Sequence, residues 1–266
     1  MALIGVFDSG VGGLSILDEA LCQLPEHDYI YLADSINAPY GEKSSEWITA
    51  RSLELCQYLA KQDCQVIVVA CNTATAQAIE QIRHALKGIA IIGVEPGIKP
   101  AAMHSPKGIV GVLATEATLK SDKFNALLDT LTPECQFIKQ AGAGLVPLIE
   151  AGQADSEAAL ELLAEHLEPI LNAGADTLVL GCTHFPFLRR SIRKLLGERI
   201  TLIDTSEAVV RQLKRQLELQ QQTIEREHHG KITFLSSKDE SSLLTLAKEL
   251  MHADLHLHSI QARAFS

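Results

Sequence analysis

The sequence predicts an α/β protein of two similar, pseudo-symmetric lobes built on mostly parallel sheets, and three observations lead there. Short β-branched runs alternate with amphipathic stretches, several runs are apolar on successive residues as strands buried on both faces must be, and the two halves of the chain resemble each other. With 266 residues and 47% hydrophobic content, the chain has apolar material for two cores and is not a disordered or fibrous protein.

The predicted strands, in order, are Leu3–Phe7, Tyr29–Leu32, Val66–Ala70, Ala90–Val94, Ile109–Leu113, Gln136–Lys139, Thr177–Leu180, Ile200–Ile203 and Ile232–Leu235. Helical spacing fills the intervals, for example Ser44–Gln62 and Asp155–Leu171. A helix is expected through Ala74–Leu86, with Asn72 and Thr73 as N-cap residues, and Pro186 suits the first turn of another. GVFDSGVGGLS at Gly5–Ser15 resembles GVLATEATLKS at Gly111–Ser121, and VIVVACNTATAQAI at Val66–Ile79 resembles LVLGCTHFPFLRRSI at Leu178–Ile192. Ser9 then pairs with Thr115 and Cys71 with Cys182, and the intervals within the halves are similar, 62 positions from Ser9 to Cys71 and 67 from Thr115 to Cys182. A duplicated α/β unit accounts for this, with halves Met1–Pro96 and Gly97–Asp204. Thr205–Ser266 has no counterpart; it carries a helix around Ser206–Glu227, the last strand and a helix at Lys238–His252, and is open to either lobe.

Thirty-three acids against 23 bases give a net charge of −10, which argues against nucleic acid or anionic membrane as a partner. No apolar run approaches a membrane span. The six cysteines are dispersed, with no CxxC pair and no secretory signal, so neither a disulfide framework nor a metal site is expected and a reducing cytoplasm is.

Ligands of open α/β sheets collect beyond the carboxyl ends of the strands, where Cys71 and Cys182 both fall. A thiol between a strand and a helix N-terminus faces unpaired N–H groups and the positive end of the helix dipole. Cys22, Cys56, Cys64 and Cys135 read instead as small hydrophobes. Asp8-Ser9-Gly10 opens a glycine-rich turn that is a poor dinucleotide loop, since Ser15 replaces the third glycine and Asp8 would repel a pyrophosphate; a carboxylate there suits an ammonium or a thiol proton. Thr115 and Thr118 at the equivalent place offer hydroxyls to a carboxylate or cap a helix. His184 can orient or protonate Cys182. Glu150 alone reads as a solvated helix end, and Asn37–Gly41 as a turn whose Tyr40 walls a pocket. Two opposed thiols suit proton exchange at a carbon acid, one removing a proton from one face and the other delivering one to the opposite face.

FDSGVGGLS (Phe7–Ser15), NAPYGEKS (Asn37–Ser44), ACNTATA (Ala70–Ala76), GVEPGIKPA (Gly93–Ala101), LATEATLKS (Leu113–Ser121) and GCTHFP (Gly181–Pro186) together resemble the glutamate racemases of the cofactor-independent aspartate/glutamate racemase superfamily. The resemblance implies an active-site cleft between the lobes, a homodimer, no cofactor, glutamate as substrate and supply of D-glutamate to bacterial peptidoglycan. It makes Cys71 and Cys182 the acid/base thiols, Cys71 for D-glutamate and Cys182 for L-glutamate, assisted by Asp8, His184 and Glu150. Asp8, Ser9, Pro39, Tyr40, Gly41, Asn72, Thr73, Thr115, Thr118, Thr183 and His184 become substrate contacts. It also returns the C-terminal segment to the first lobe, and Phe185 departs from a frequent tyrosine.

Overall fold

Every strand pairing in the computed structural model, which describes residues 1–131, 135–220 and 229–265, is parallel, so each connection must cross over the sheet and helices cover its faces. In chain order the elements are β1 (Leu3–Asp8), α1 (Leu14–Gln23), β2 (Asp28–Ala33), α2 (Ser45–Lys61), β3 (Val66–Val69), α3 (Asn72–Ala85), β4 (Ala90–Gly93), α4 (Ile98–His104), β5 (Ile109–Ala114), α5 (Glu116–Lys120) and α6 (Asp122–Asp129). There follow β6 (Gln136–Ala141), α7 (Leu145–Glu150), α8 (Glu157–Asn172), β7 (Thr177–Gly181), α9 (Arg189–Leu196), β8 (Thr201–Ile203), α10 (Ser206–Leu219), β9 (Lys231–Ser236), α11 (Glu240–Leu250) and β10 (Ser259–Ala264).

The chain divides into two compact units, Met1–Val94 with Ser206–Ser266, and Glu95–Thr205. The sheet of the first runs β10-β9-β2-β1-β3-β4 and that of the second β6-β5-β7-β8. The order β2-β1-β3-β4 thus recurs as β6-β5-β7-β8, the duplication seen in the sequence written as topology. In the first unit, β9 and β10 extend the sheet beyond β2.

Burial explains why these segments are strands. The central β3 and β7 are buried at every residue, whereas the edge strand β6 (QFIKQA) has no fully buried residue. Helices start where side chains can satisfy their first N–H groups: Ser44 accepts from Trp47 N at α2, and Ser156 from Ala159 N at α8. Close packing fixes the second unit's centre, because a Cβ on Gly111 of β5 would lie 2.3 Å from Ile170 Cγ2 of α8. Each unit has its own apolar cluster, one around Phe7, Val69 and Leu59, the other around Val112, Phe124 and Val179. No helix among the described residues is long and apolar enough to cross a membrane.

Two expectations change. The helix expected around Ser206–Glu227 ends at Leu219, and residues 221–227 lie outside the described residues. Strand β10 was absent from the sequence reading because Ser-Ile-Gln-Ala-Arg-Ala has no apolar run; as an edge strand it needs none.

Candidate active site

In a sheet ordered β2-β1-β3, successive connections leave β1 and β3 toward opposite faces, and a crevice opens at their carboxyl ends. In the first unit that switch point carries Asp8 as the last residue of β1, Ser9 after it and Cys71 after β3. In the second it carries Thr115 after β5 and Cys182 after β7. The two cysteines are therefore topological equivalents. All six cysteines are free.

In the first unit, Cys71 itself is the N-cap of α3, its sulfur accepting from Ala74 N at 3.4 Å. This corrects the expected cap: Asn72 and Thr73 already lie inside the helix, because the chain turns one residue earlier. No acid occupies the first turn of this 14-residue helix, so its N–H groups and dipole favour negative charge on the sulfur. The thiol donates to Ser9 Oγ across 3.6 Å. Asp8 is fully buried and accepts from Gly10 N at 2.7 Å, while the Tyr31 hydroxyl donates to Gly10 O. Only glycine fits at position 13, where a Cβ would stand 2.8 Å from Asp8 Cβ and 2.9 Å from Ala70 Cβ.

Asn72, beside the thiol, is buried, and among the described residues neither its Oδ1 nor its Nδ2 has a hydrogen-bond partner. A buried amide is costly without a polar partner, which makes Asn72 a candidate contact for a polar group of a substrate. Thr73 is buried at the next position.

Pro39, Tyr40 and Gly41 follow β2, with Pro39 and Gly41 half-buried and Tyr40 buried in the same cluster as Cys71. The Tyr40 hydroxyl donates to Asp34 Oδ2 at 2.6 Å, and its ring packs on Phe7 and edge-on to Trp47. Burial and the Asp34 carboxylate push the phenol's pKa far up, so it remains a neutral donor. Asp34 was missed in the sequence; its signal was a carboxylate immediately past β2, one position further along than Asp8, which ends β1.

The second unit is built differently. Cys182 precedes a 3-10 turn (Phe185–Leu188), so the helix-dipole argument applied to both thiols holds only for Cys71. His184 supplies the charge instead: its Nδ1 lies 3.7 Å from Cys182 Sγ and its Nε2 2.6 Å from Glu150 Oε1 at the end of α7. Burial alone would lower the His184 pKa, but hydrogen bonds to Cys182 and Glu150 and their negative charge outweigh it and hold the pKa well above the usual range. Glu150 is thus no solvated helix end, which its sequence neighbours could not reveal. Thr183 is buried between Cys182 and His184. Thr115 caps α5, accepting from Thr118 N, and its hydroxyl meets that of Thr118 at 2.9 Å. Phe185 is fully buried against Gly142, an apolar setting that suits its lack of a hydroxyl.

The other cysteines differ in kind. Burial pushes the Cys56 thiol up, and burial with Asp63 pushes Cys64 up to about 12; Cys135 is buried and Cys22 is exposed. No group of three or more potential metal ligands occurs among the described residues.

Each of the duplicated parallel α/β units thus presents a cysteine and its polar partners at its switch point, the arrangement of a family of isomerases. The chain belongs to the Asp/Glu/Hydantoin racemase family, which it matches over residues 9–213. It is 56% identical to a glutamate racemase of Ralstonia nicotianae over 216 residues, 81% of this chain and 78% of that one. It is 49% identical to a glutamate racemase of Cupriavidus pinatubonensis over 97% of this chain and 95% of that one. Among solved structures, Escherichia coli glutamate racemase in complex with L-glutamate and the activator UDP-MurNAc-Ala is 32% identical, with a TM-score of 0.84 over all of this chain and 99% of the other.

Proposed function

We propose that this racemase interconverts L- and D-glutamate without a cofactor, using Cys71 and Cys182 as the acid/base pair. The observation that carries the reading is the equivalence of the two cysteines, one at the switch point of each unit with its own charge-stabilising surroundings. In the L-to-D direction the Cys182 thiolate takes the Cα proton and forms the S–H bond, the electron pair of the C–H bond passes to the carbanion, and the Cys71 thiol protonates the opposite face. The D-to-L direction exchanges the roles.

The Cα–H of an amino acid is a far weaker acid than any side chain, so contacts that stabilise the carbanion must supplement the thiols. Asn72, Thr73, Thr115, Thr118 and Thr183 offer donors for the substrate carboxylates, Asp8 an acceptor for its ammonium, and Ser9, Pro39, Tyr40 and Gly41 the wall beside Cys71. His184 with Glu150 assists Cys182, and Asp8 assists Cys71. The family resemblance further supports a cytoplasmic homodimer that supplies D-glutamate for peptidoglycan.

The test is circular dichroism of L-glutamate incubated with the purified protein, without pyridoxal phosphate, together with turnover in D₂O. Loss of optical activity is expected, with deuterium at Cα of the early D-glutamate while recovered L-glutamate stays mostly unlabelled. Unlabelled early product would mean one shuttling base. Racemisation of aspartate or a hydantoin in preference to glutamate would reassign the substrate, and tight binding of glutamate without turnover would make the chain a binding protein.

A further inference from the structure

Past β2, the chain enters the turn that ends in Pro39-Tyr40-Gly41, and its first residue, Asp34, is fully buried. The carboxylate accepts from Arg51 Nη2 at 2.8 Å through Oδ1 and from Arg51 Nε at 3.0 Å through Oδ2. Asn37 Nδ2 donates to both oxygens, and the Tyr40 hydroxyl donates to Oδ2 at 2.6 Å. Arg51 therefore reaches Tyr40 through a single carboxylate. Tyr40 in turn packs in the cluster that contains Cys71.

On its outer side Arg51 donates from Nη1 to the exposed Glu54 at 2.9 Å and also meets Phe265, the last described residue. The Phe265 ring lies 5.9 Å from the guanidinium carbon and edge-on to Tyr58, with centroids 4.7 Å apart. Phe265 N donates to Ser236 O, which continues the β9–β10 ladder. Beside it, Ser237 N donates to Ala33 O and Ser237 Oγ accepts from Ile36 N, so the C-terminal segment holds the same turn at a second place. An ion pair in contact with water exchanges partners readily; one covered by an aromatic ring does not, because the local dielectric is lower and the cation also gains the ring face.

We propose that Phe265, Arg51 and Asp34 form a positioning clamp for the Tyr40-Gly41 turn, through which the C-terminal strand sets the geometry of the substrate against Cys71. The clamp rests on the reading of Cys71 as the thiol that deprotonates D-glutamate. None of its three members needs to touch substrate: the clamp acts by holding Tyr40, and a misplacement of about 1 Å at a reacting centre costs up to about 10²-fold in rate.

The test uses the full chain with Phe265→Ala, Phe265→Tyr and Arg51→Lys, and with Cys71→Ser as reference. Enantiomers have equal free energy, so kcat/KM must change equally in both directions; the informative readout is the primary isotope effect for each Cα-deuterated enantiomer. In Phe265→Ala and Arg51→Lys, kcat/KM should fall about 10- to 100-fold. The isotope effect should grow with D-glutamate and shrink with L-glutamate, as in Cys71→Ser, because abstraction by Cys71 becomes the slower step. Phe265→Tyr, which keeps the ring, should restore wild-type values. A loss of activity with both isotope effects unchanged would mean only a smaller folded fraction and would overturn the clamp, as would wild-type kinetics in both variants. If the wild-type chain does not racemise glutamate, or Cys71→Ser shows no asymmetry, the two-thiol reading falls and the clamp with it; a failure confined to Phe265 and Arg51 removes the clamp alone.

Discussion

Glu150 Oε1 lies 2.6 Å from His184 Nε2, and the other nitrogen of the same ring faces the Cys182 sulfur at 3.7 Å. The imidazole is thus held between a carboxylate and a thiol. Its raised pKa is a property of both partners together, and this makes the Cys182 side electrostatically unlike the Cys71 side, where a helix N-terminus faces the sulfur.

Glu150→Gln removes one anionic partner, so the His184 pKa should fall. Turnover should drop by about 10²-fold or more, with a much smaller change in KM, if the pair tunes proton transfer at Cys182. Steady-state kinetics in both directions check this; an unchanged turnover number would return the pair to a purely structural role.

Stability should carry the same signature. His184 has a folded pKa above its unfolded value of about 6.5, so its contribution is complete below that pH and is lost as pH rises through the folded pKa. In Glu150→Gln the loss should be complete at a lower pH and be smaller in total. Urea midpoints measured from about pH 6 upward for both proteins give the comparison. Identical curves would show that Glu150 does not set the charge of His184.

Asn72→Leu removes two unpartnered buried polar atoms from the folded state. Thermal stability should be unchanged or higher, while KM rises by about 10- to 100-fold, the loss of roughly 1–3 kcal/mol of substrate hydrogen bonding. A destabilised variant with normal KM would mean that the amide serves the fold.

Gly13→Ala places a methyl group within 2.8 Å of Asp8 Cβ and 2.9 Å of Ala70 Cβ, both backed by strands. The neighbours have little room to yield, so a destabilisation of about 1–3 kcal/mol is expected, together with reduced activity because Asp8 moves. Denaturant unfolding and kinetics on the same preparation test both parts, and a neutral substitution would show that the α1 start is free to shift.

Local pattern was enough to place the strands that are buried on both faces, because β-branched runs such as Val66–Val69 suit such an environment best, and to place both thiols just past such strands. Repetition within the chain was equally legible, since duplicated packing demands duplicated residues. Tertiary structure decided what depends on distant partners. The switch points exist only once strand order is fixed. Glu150 and His184 are 34 positions apart and Asp34 and Arg51 are 17 apart, and neither pair has a local pattern, because each forms only when helices pack on a sheet. Strand β10 was invisible for a related reason: an edge strand is defined by the backbone hydrogen bonds its neighbour offers, and Phe265 meets Arg51 only after that neighbour, β9, has joined the first unit's sheet.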